Sequence, residues 1–223
     1  MGALANLLDV EGRLLRKSDA LAIRGLALLE RGAKYRAHRA LSRAGTAMAR
    51  GRARIERRAW DAAAVYGKIA RGFLGLGHVD SAWAAAKDAL AFDVRNPEAL
   101  EVQGRIQLER GESKDALASF EKALRASPDA SALWGLRGDA ALAAGRKEDA
   151  AASYRKVASL TADDTDNLDK LLRLTPQDAD TWVRKAEAHA RRKEADEALH
   201  AYDRTLRIDP ARVGAWAGKA GVH

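Results

Sequence analysis

The 223-residue chain has no cysteine, which excludes disulfides, thiolate nucleophiles and cysteine-based metal sites and removes any need for an oxidising compartment. Proline is also scarce, with four in the whole chain, and aromatic residues make up only 5%. Few residues are β-branched, whereas alanine, leucine and arginine abound, a balance that favours helix almost throughout. No uncharged run approaches the ~18 residues of a membrane-spanning helix. The opening MGALANLL is too short for a secretory core and has no basic residues ahead of it. Asn6 stands where myristoylation would want Ser or Thr. The expectation is a cytoplasmic protein with no membrane attachment. Motifs of catalysis are missing too: there is no GxSxG, GKS, GKT or HExxH, hence no identifiable nucleophile, phosphate cradle or zinc pair. No enzyme activity and no cofactor are expected.

What is present is a charge imbalance with a definite location. Apolar residues are 47% and charged residues 31%, a globular composition, and the net charge is +8. Residues 1–62 hold fourteen Lys and Arg against six Asp and Glu, while residues 63–223 hold twenty-five of each, so the whole excess lies in the first quarter. Its densest part is RAHRALSRAGTAMARGRARIERR, residues 36–58, with Arg36, Arg39, Arg43, Arg50, Arg52, Arg54, Arg57 and Arg58 against Glu56 alone. Arg36, Arg43 and Arg50 are spaced by seven, a stripe that drifts only ~20° per heptad on a straight helix. Ala37, Leu41, Ala44 and Met48 form the opposite, inward side, so the stripe is expected to face solvent. Gly51 is expected to end that helix, with Arg52 and the following arginines opening the next one, because Ile55, Ala59, Ala62, Tyr66, Ile69, Phe73 and Leu76 alternate steps of four and three.

Self-similarity organises the remainder. ALASFEKALRASP, AAASYRKVASL and ALHAYDRTLRIDP share an alanine followed four residues later by an aromatic: Ala116 and Phe120, Ala150 and Tyr154, Ala198 and Tyr202. Trp182 precedes Trp216 by 34 residues, as Pro176 precedes Pro210. Each unit reads as two amphipathic helices that cannot bury their apolar face alone, so stacking of about three or more units must supply a continuous core.

In these residues the chain resembles the tetratricopeptide repeat family. In that register, units fall at 18–51, 63–96, 97–130, 131–164 and 179–212, with a half unit at 213–223. Gly104 and Gly138 take the small position and Gly111 and Gly145 the inter-helix turn; the first unit has Leu41 where an aromatic is usual. The resemblance implies an all-α fold, a right-handed superhelical α-solenoid of stacked antiparallel helix pairs in one domain. It also implies a concave groove lined by the first helix of each pair. Arg71, Glu101, Arg105, Asp139 and Glu187 are the expected groove residues, a mixture of signs. The asparagines of the family's carboxylate clamp for acidic chaperone tails are missing, since Ala22, Gly67, Arg71, Val102, Ala132 and Arg184 stand there, which argues against that ligand.

DDTDNLDKLLRLTPQD, 163–178, interrupts the repeat and predicts a short extra helix at about 165–174, capped by Asp164, Thr165 or Asp166, with Leu168, Leu171 and Leu172 inward. Its acids lack the glycine and terminal Glu of a calcium loop and are assigned to capping and helix-dipole compensation. Among the five histidines, no two are three or four residues apart, so no metal pair is expected on one helix. Trp134, Trp182 and Trp216 take the repeat's packing position and are expected in the core. Trp60, beside the arginines, is the one tryptophan available to stack on a base.

The resulting expectation is a non-enzymatic adaptor or scaffold holding a protein or peptide partner in the groove and on the basic N-terminal surface. For that surface an acidic protein is favoured over RNA or DNA, because sequence-tolerant nucleic-acid sites add more aromatics than Trp60. An accessory subunit of an enzyme complex is the other alternative. The half unit at 213–223 leaves open a capping helix, a longer array or self-association through that end.

Overall fold

The computed structural model describes residues 2–55 and 59–222, with side chains from 16–48 and 62–222. Twelve helices and no strand occur among the described residues. None of the helices is long and apolar enough to cross a membrane. The chain divides into two compact units, Met1–Pro128 and Asp129–His223.

The helices alternate with short turns of one recurrent design. Gly32, Gly77, Gly111 and Gly145 each have φ between 72° and 79° and sit just past the first helix of a pair, where a left-handed residue lets the chain reverse at once. Lys193 occupies the same place in the last complete pair with φ 61°. Where the chain enters a helix, side-chain caps recur: Asn96 accepts a hydrogen bond from the Ala99 amide at 2.9 Å, with Pro97 at the first helical position, and Asp178 accepts from the Thr181 amide at 3.2 Å.

The first unit contains α1 (Gly2–Glu30), α2 (Lys34–Ile55), α3 (Ala59–Gly75), α4 (Val79–Phe92), α5 (Pro97–Glu109) and α6 (Ser113–Ala126). They pair as α1 with α2, α3 with α4 and α5 with α6, and α3 also packs on α1, α2 and α5. The core is a mat of small residues studded with larger ones. Ala62, Ala82, Ala85, Ala86 and Ala89 are buried among Tyr66, Ile69, Val102 and Ile106, and Trp83 packs at its edge. On α2, Ala37, Leu41, Ala44 and Met48 are fully buried, the inward side expected of the arginine-bearing helix.

The expected helix end at Gly51 is corrected: α2 continues through Gly51 to Ile55, so Arg52 and Arg54 lie on α2 and not at the start of the next helix. A glycine inside a helix costs only about 1 kcal/mol relative to alanine. With alanines and arginines on both sides, that is too little to stop propagation.

The second unit contains α7 (Ser131–Ala143), α8 (Lys147–Leu160), α9 (Thr165–Leu174), α10 (Ala179–Arg191), α11 (Ala195–Ile208) and α12 (Val213–Gly221). Each packs on the next in chain order. The extra helix lies at 165–174 as expected, with Asp164 as its cap, accepting from the Asn167 amide at 3.1 Å, and Leu168, Leu171 and Leu172 buried. α9 stands between the α7–α8 and α10–α11 pairs, packed on α8 and α10.

One packing expectation holds only in part. Trp134 is half-buried, Trp182 is half-buried and packs against the core around Ala186, Tyr202 and Leu206, and Trp216 is 55% exposed. In the latter two, the indole Nε1–H donates to the carbonyl of a proline six residues earlier, Pro176 for Trp182 and Pro210 for Trp216, each at 3.0 Å. The polar edge of the ring is thus tied to the preceding turn, which holds these indoles at the rim of the core. Lys185 and Arg204 lie over the Trp182 ring at 5.5 and 5.3 Å.

Candidate partner-binding site

The five expected groove residues all lie on first helices of pairs, α3, α5, α7 and α10, and most of their charges are already engaged. Arg71 on α3 pairs with Glu98 at 2.9 Å, and Glu101 pairs with Arg105 one turn on at 3.2 Å. Asp139 on α7 accepts from the Tyr154 hydroxyl at 2.7 Å and from Lys170 of α9 at 2.7 and 2.9 Å. Burial, reinforced by that hydrogen bond and by the carboxylate's charge, holds the Tyr154 hydroxyl well above the usual tyrosine range. Glu187 on α10 is exposed, and after burial its charge is the larger cause that raises Tyr202. Ion pairs of this kind, partly exposed, contribute little stability each, but they leave a partner few unmatched charges to meet.

Most acids of 163–178 are similarly committed. Asp163 pairs with Arg191 at 2.6 Å, Asp164 caps α9, and Asp169 pairs with Lys185. No group of three or more metal-ligating side chains occurs among the described residues. Two histidines far apart in sequence do meet: His38 on α2 and His78 before α4 have ring centroids 4.8 Å apart, with Phe73 at the edge of both. Helical spacing along one segment could not reveal this neighbour, because the two residues belong to different pairs.

The basic face is built differently. Arg36, Arg39 and Arg43 on α2 are all exposed. Arg50, Arg52 and Arg54 lie on α2, with side chains outside the described ones, and Arg57, Arg58 and the side chain of Trp60 are likewise outside them. Arg39 and Arg43 line an open cavity of about 980 Å³ between α1 and α2, together with Lys17, Leu21, Tyr35, His38, Ser42, Thr46 and Ala47. Arg36 is not part of its lining. Among the described residues, no hydrogen bond or ion pair engages Lys17, Arg39 or Arg43. The hydroxyls are oriented locally: Thr46 donates to the Ser42 carbonyl at 2.8 Å, and Ser42 Oγ lies 3.4 Å from His38 Nε2. Tyr35 is 79% exposed at the rim.

Lys17 and Tyr35 escape a reading of the arginine run alone. Tyr35 directly precedes it, and four-residue steps from Tyr35 through Arg39 to Arg43 carry the signal for one helix face. Lys17 comes from the neighbouring helix, so only pairing of α1 with α2 brings it there.

Comparison with known proteins assigns the frame around this surface. The tetratricopeptide repeat family model matches residues 68–130, 102–167 and 166–213, well over half of the chain. The chain belongs to the tetratricopeptide repeat family. Comparison with curated protein sequences gives no match. Among solved structures, this tetratricopeptide repeat protein is similar to PilF of Pseudomonas aeruginosa, at 18% identity over 92% of this chain and 98% of that one, with a TM-score of 0.59. It is also similar to a thermophilic TPR protein of Thermus thermophilus, at 21% identity over 92% and 98%, with a TM-score of 0.50. The segment of MamA from Desulfovibrio magneticus that runs from residue 41 to its end matches at 15% identity over 88% and 97%, with a TM-score of 0.50. At these identities the likeness is one of fold: an all-α tetratricopeptide solenoid, the kind of frame typical of protein-interaction scaffolds.

Proposed function

We propose that this tetratricopeptide repeat protein is a non-enzymatic adaptor that holds a protein partner, with the first-helix groove as the general seat and the basic N-terminal face as the selective contact. The observation that carries this reading is the contrast in charge pairing. Four of the five groove charges are neutralised within the chain, whereas Arg39 and Arg43 line an open cavity with no described partner. An unmatched cluster of one sign raises the encounter rate with surfaces of the other sign and selects among partners. An acidic protein suits it better than a nucleic acid, because the cavity offers one exposed aromatic, Tyr35, and not a row of stacking platforms.

The test is affinity capture by the immobilised full chain from native lysate, with and without nuclease, in parallel with a variant carrying Arg36→Glu, Arg39→Glu and Arg43→Glu. The expected result is a protein retained in both nuclease arms and lost from the variant. Retention that disappears with nuclease would assign the face to nucleic acid instead. Equal retention by the variant would remove the N-terminal face from the reading.

A further inference from the structure

We propose that the α1–α2 cavity is a docking site for an extended segment of a partner protein that carries acidic side chains at alternate positions. This rests on the adaptor reading and adds the chemistry and spacing of the occupant. The cations are what define the site. Arg39 and Arg43 stand one above the other on α2, about 6 Å apart along the helix axis at 1.5 Å per residue. Lys17 faces the same cavity from α1, beside Leu21. None of the described residues that line the cavity is acidic.

An extended peptide repeats the same side every two residues, roughly 6.6 Å, so carboxylates at alternate positions come into step with Arg39 and Arg43. The cavity, about 980 Å³, lies at the upper end of the range for ligand pockets and is open to the surface, which suits a short stretch of chain more than a small metabolite. Each guanidinium offers a planar fork matched to one carboxylate. Leu21 and Ala47 supply apolar floor for aliphatic stems. Tyr35, standing out at the rim, provides a flat surface against which one further side chain of the segment packs.

The experiment is fluorescence anisotropy of the full chain with three labelled probes at low salt: a peptide with three Glu at every second position, a peptide of the same composition with Glu at every third, and a single-stranded RNA. The first peptide binds about tenfold more tightly than the second. Arg39→Glu and Arg43→Glu, both at exposed positions, each weaken it by roughly tenfold or more. Lys122→Glu and Arg125→Glu, in a second basic hollow of about 620 Å³ beside α6, leave it unchanged. Circular dichroism checks that each variant keeps its helix content. Equal binding of the two peptides, or loss on Lys122→Glu equal to that on Arg43→Glu, would show only diffuse attraction and overturn the proposal. Preference for the RNA would overturn it too. If lysate capture yields a partner that the arginine variants lose while neither peptide binds, the spacing fails and the adaptor reading stands. If the first peptide binds with the expected pattern but no partner is ever captured, the site stands and the adaptor reading fails.

Discussion

Lys193 holds the one left-handed backbone conformation not given to glycine among the described residues. An L-residue there is disfavoured by about 1 kcal/mol or more, partly offset because glycine would loosen the unfolded chain. The turn is braced by His189 Nδ1 against Glu194 Oε2 at 2.6 Å. Lys193→Gly is therefore expected to raise stability by up to about 1 kcal/mol, a shift of roughly 2–4 °C in thermal unfolding followed by circular dichroism. Tyr154 supplies a pH prediction. Its hydroxyl is raised from the usual value of 10.0 by burial first and by Asp139 second. A group whose folded-state value is raised gives stability that is fully present below the unfolded value and is lost as pH climbs towards the folded one. The thermal midpoint should fall as pH rises above about 10, and Tyr154→Phe should flatten part of that fall, with Tyr202 accounting for more of it.

Between helices, the close approach of a pair depends on a glycine under a ring. A Cβ at Gly104 would lie 2.6 Å from Phe120 Cε1, and Gly138 meets Tyr154 in the same way. In the first pair Gly25 faces Leu41, at 2.7 Å from a Cβ to Leu41 Cγ, so the aliphatic residue takes the aromatic's place against the same small neighbour. Alanine at 104 gains about 1 kcal/mol of helix propensity but forces the ring aside at a cost of about 1–3 kcal/mol. Gly104→Ala should thus be destabilising in urea unfolding, and Phe120→Leu in the same chain should recover part of the loss, a coupling that a double-mutant cycle measures. α9 is held by fewer groups. Leu171→Ala removes a buried leucine from a ten-residue helix and should cost about 2–5 kcal/mol, with hydrogen exchange rising first in residues 165–174.

Across the whole molecule, charge is divided unevenly, and this predicts where salt acts. The excess of +8 belongs to residues 1–62, while the rest of the chain is balanced and carries many short-range ion pairs. Raising salt from about 0.05 to 0.5 M shortens the Debye length from roughly 14 to 4 Å. Partner retention on the basic face should weaken steeply over that range, while the unfolding midpoint moves little, because partly exposed pairs contribute little to stability. Titrating both properties against sodium chloride checks this, and a midpoint that falls in parallel with retention would contradict it.

Helix was legible over most of the described chain because its causes are local: alanine and leucine periodicity, glycine at the turns, and asparagine or aspartate at the starts of α5, α9 and α10. The extra helix at 165–174 follows from the same short-range signals, whereas α1 begins at Gly2, well ahead of the repeat unit expected from 18. The inward side of α2, with Ala37, Leu41, Ala44 and Met48 buried, was legible for the same reason, since one helix displays both of its faces in a single stretch of chain. Gly51 misled because a weak local penalty yielded to strong helix formers on either side. Relations between helices are another matter. The meeting of His38 with His78, the consumption of Asp139 by Tyr154 and Lys170, and the arrival of Lys17 beside Arg39 and Arg43 all join residues from different helices or the turns between them. Which charges are satisfied at home and which stand open to a partner depends on distances across helix pairs, and only packing sets those distances.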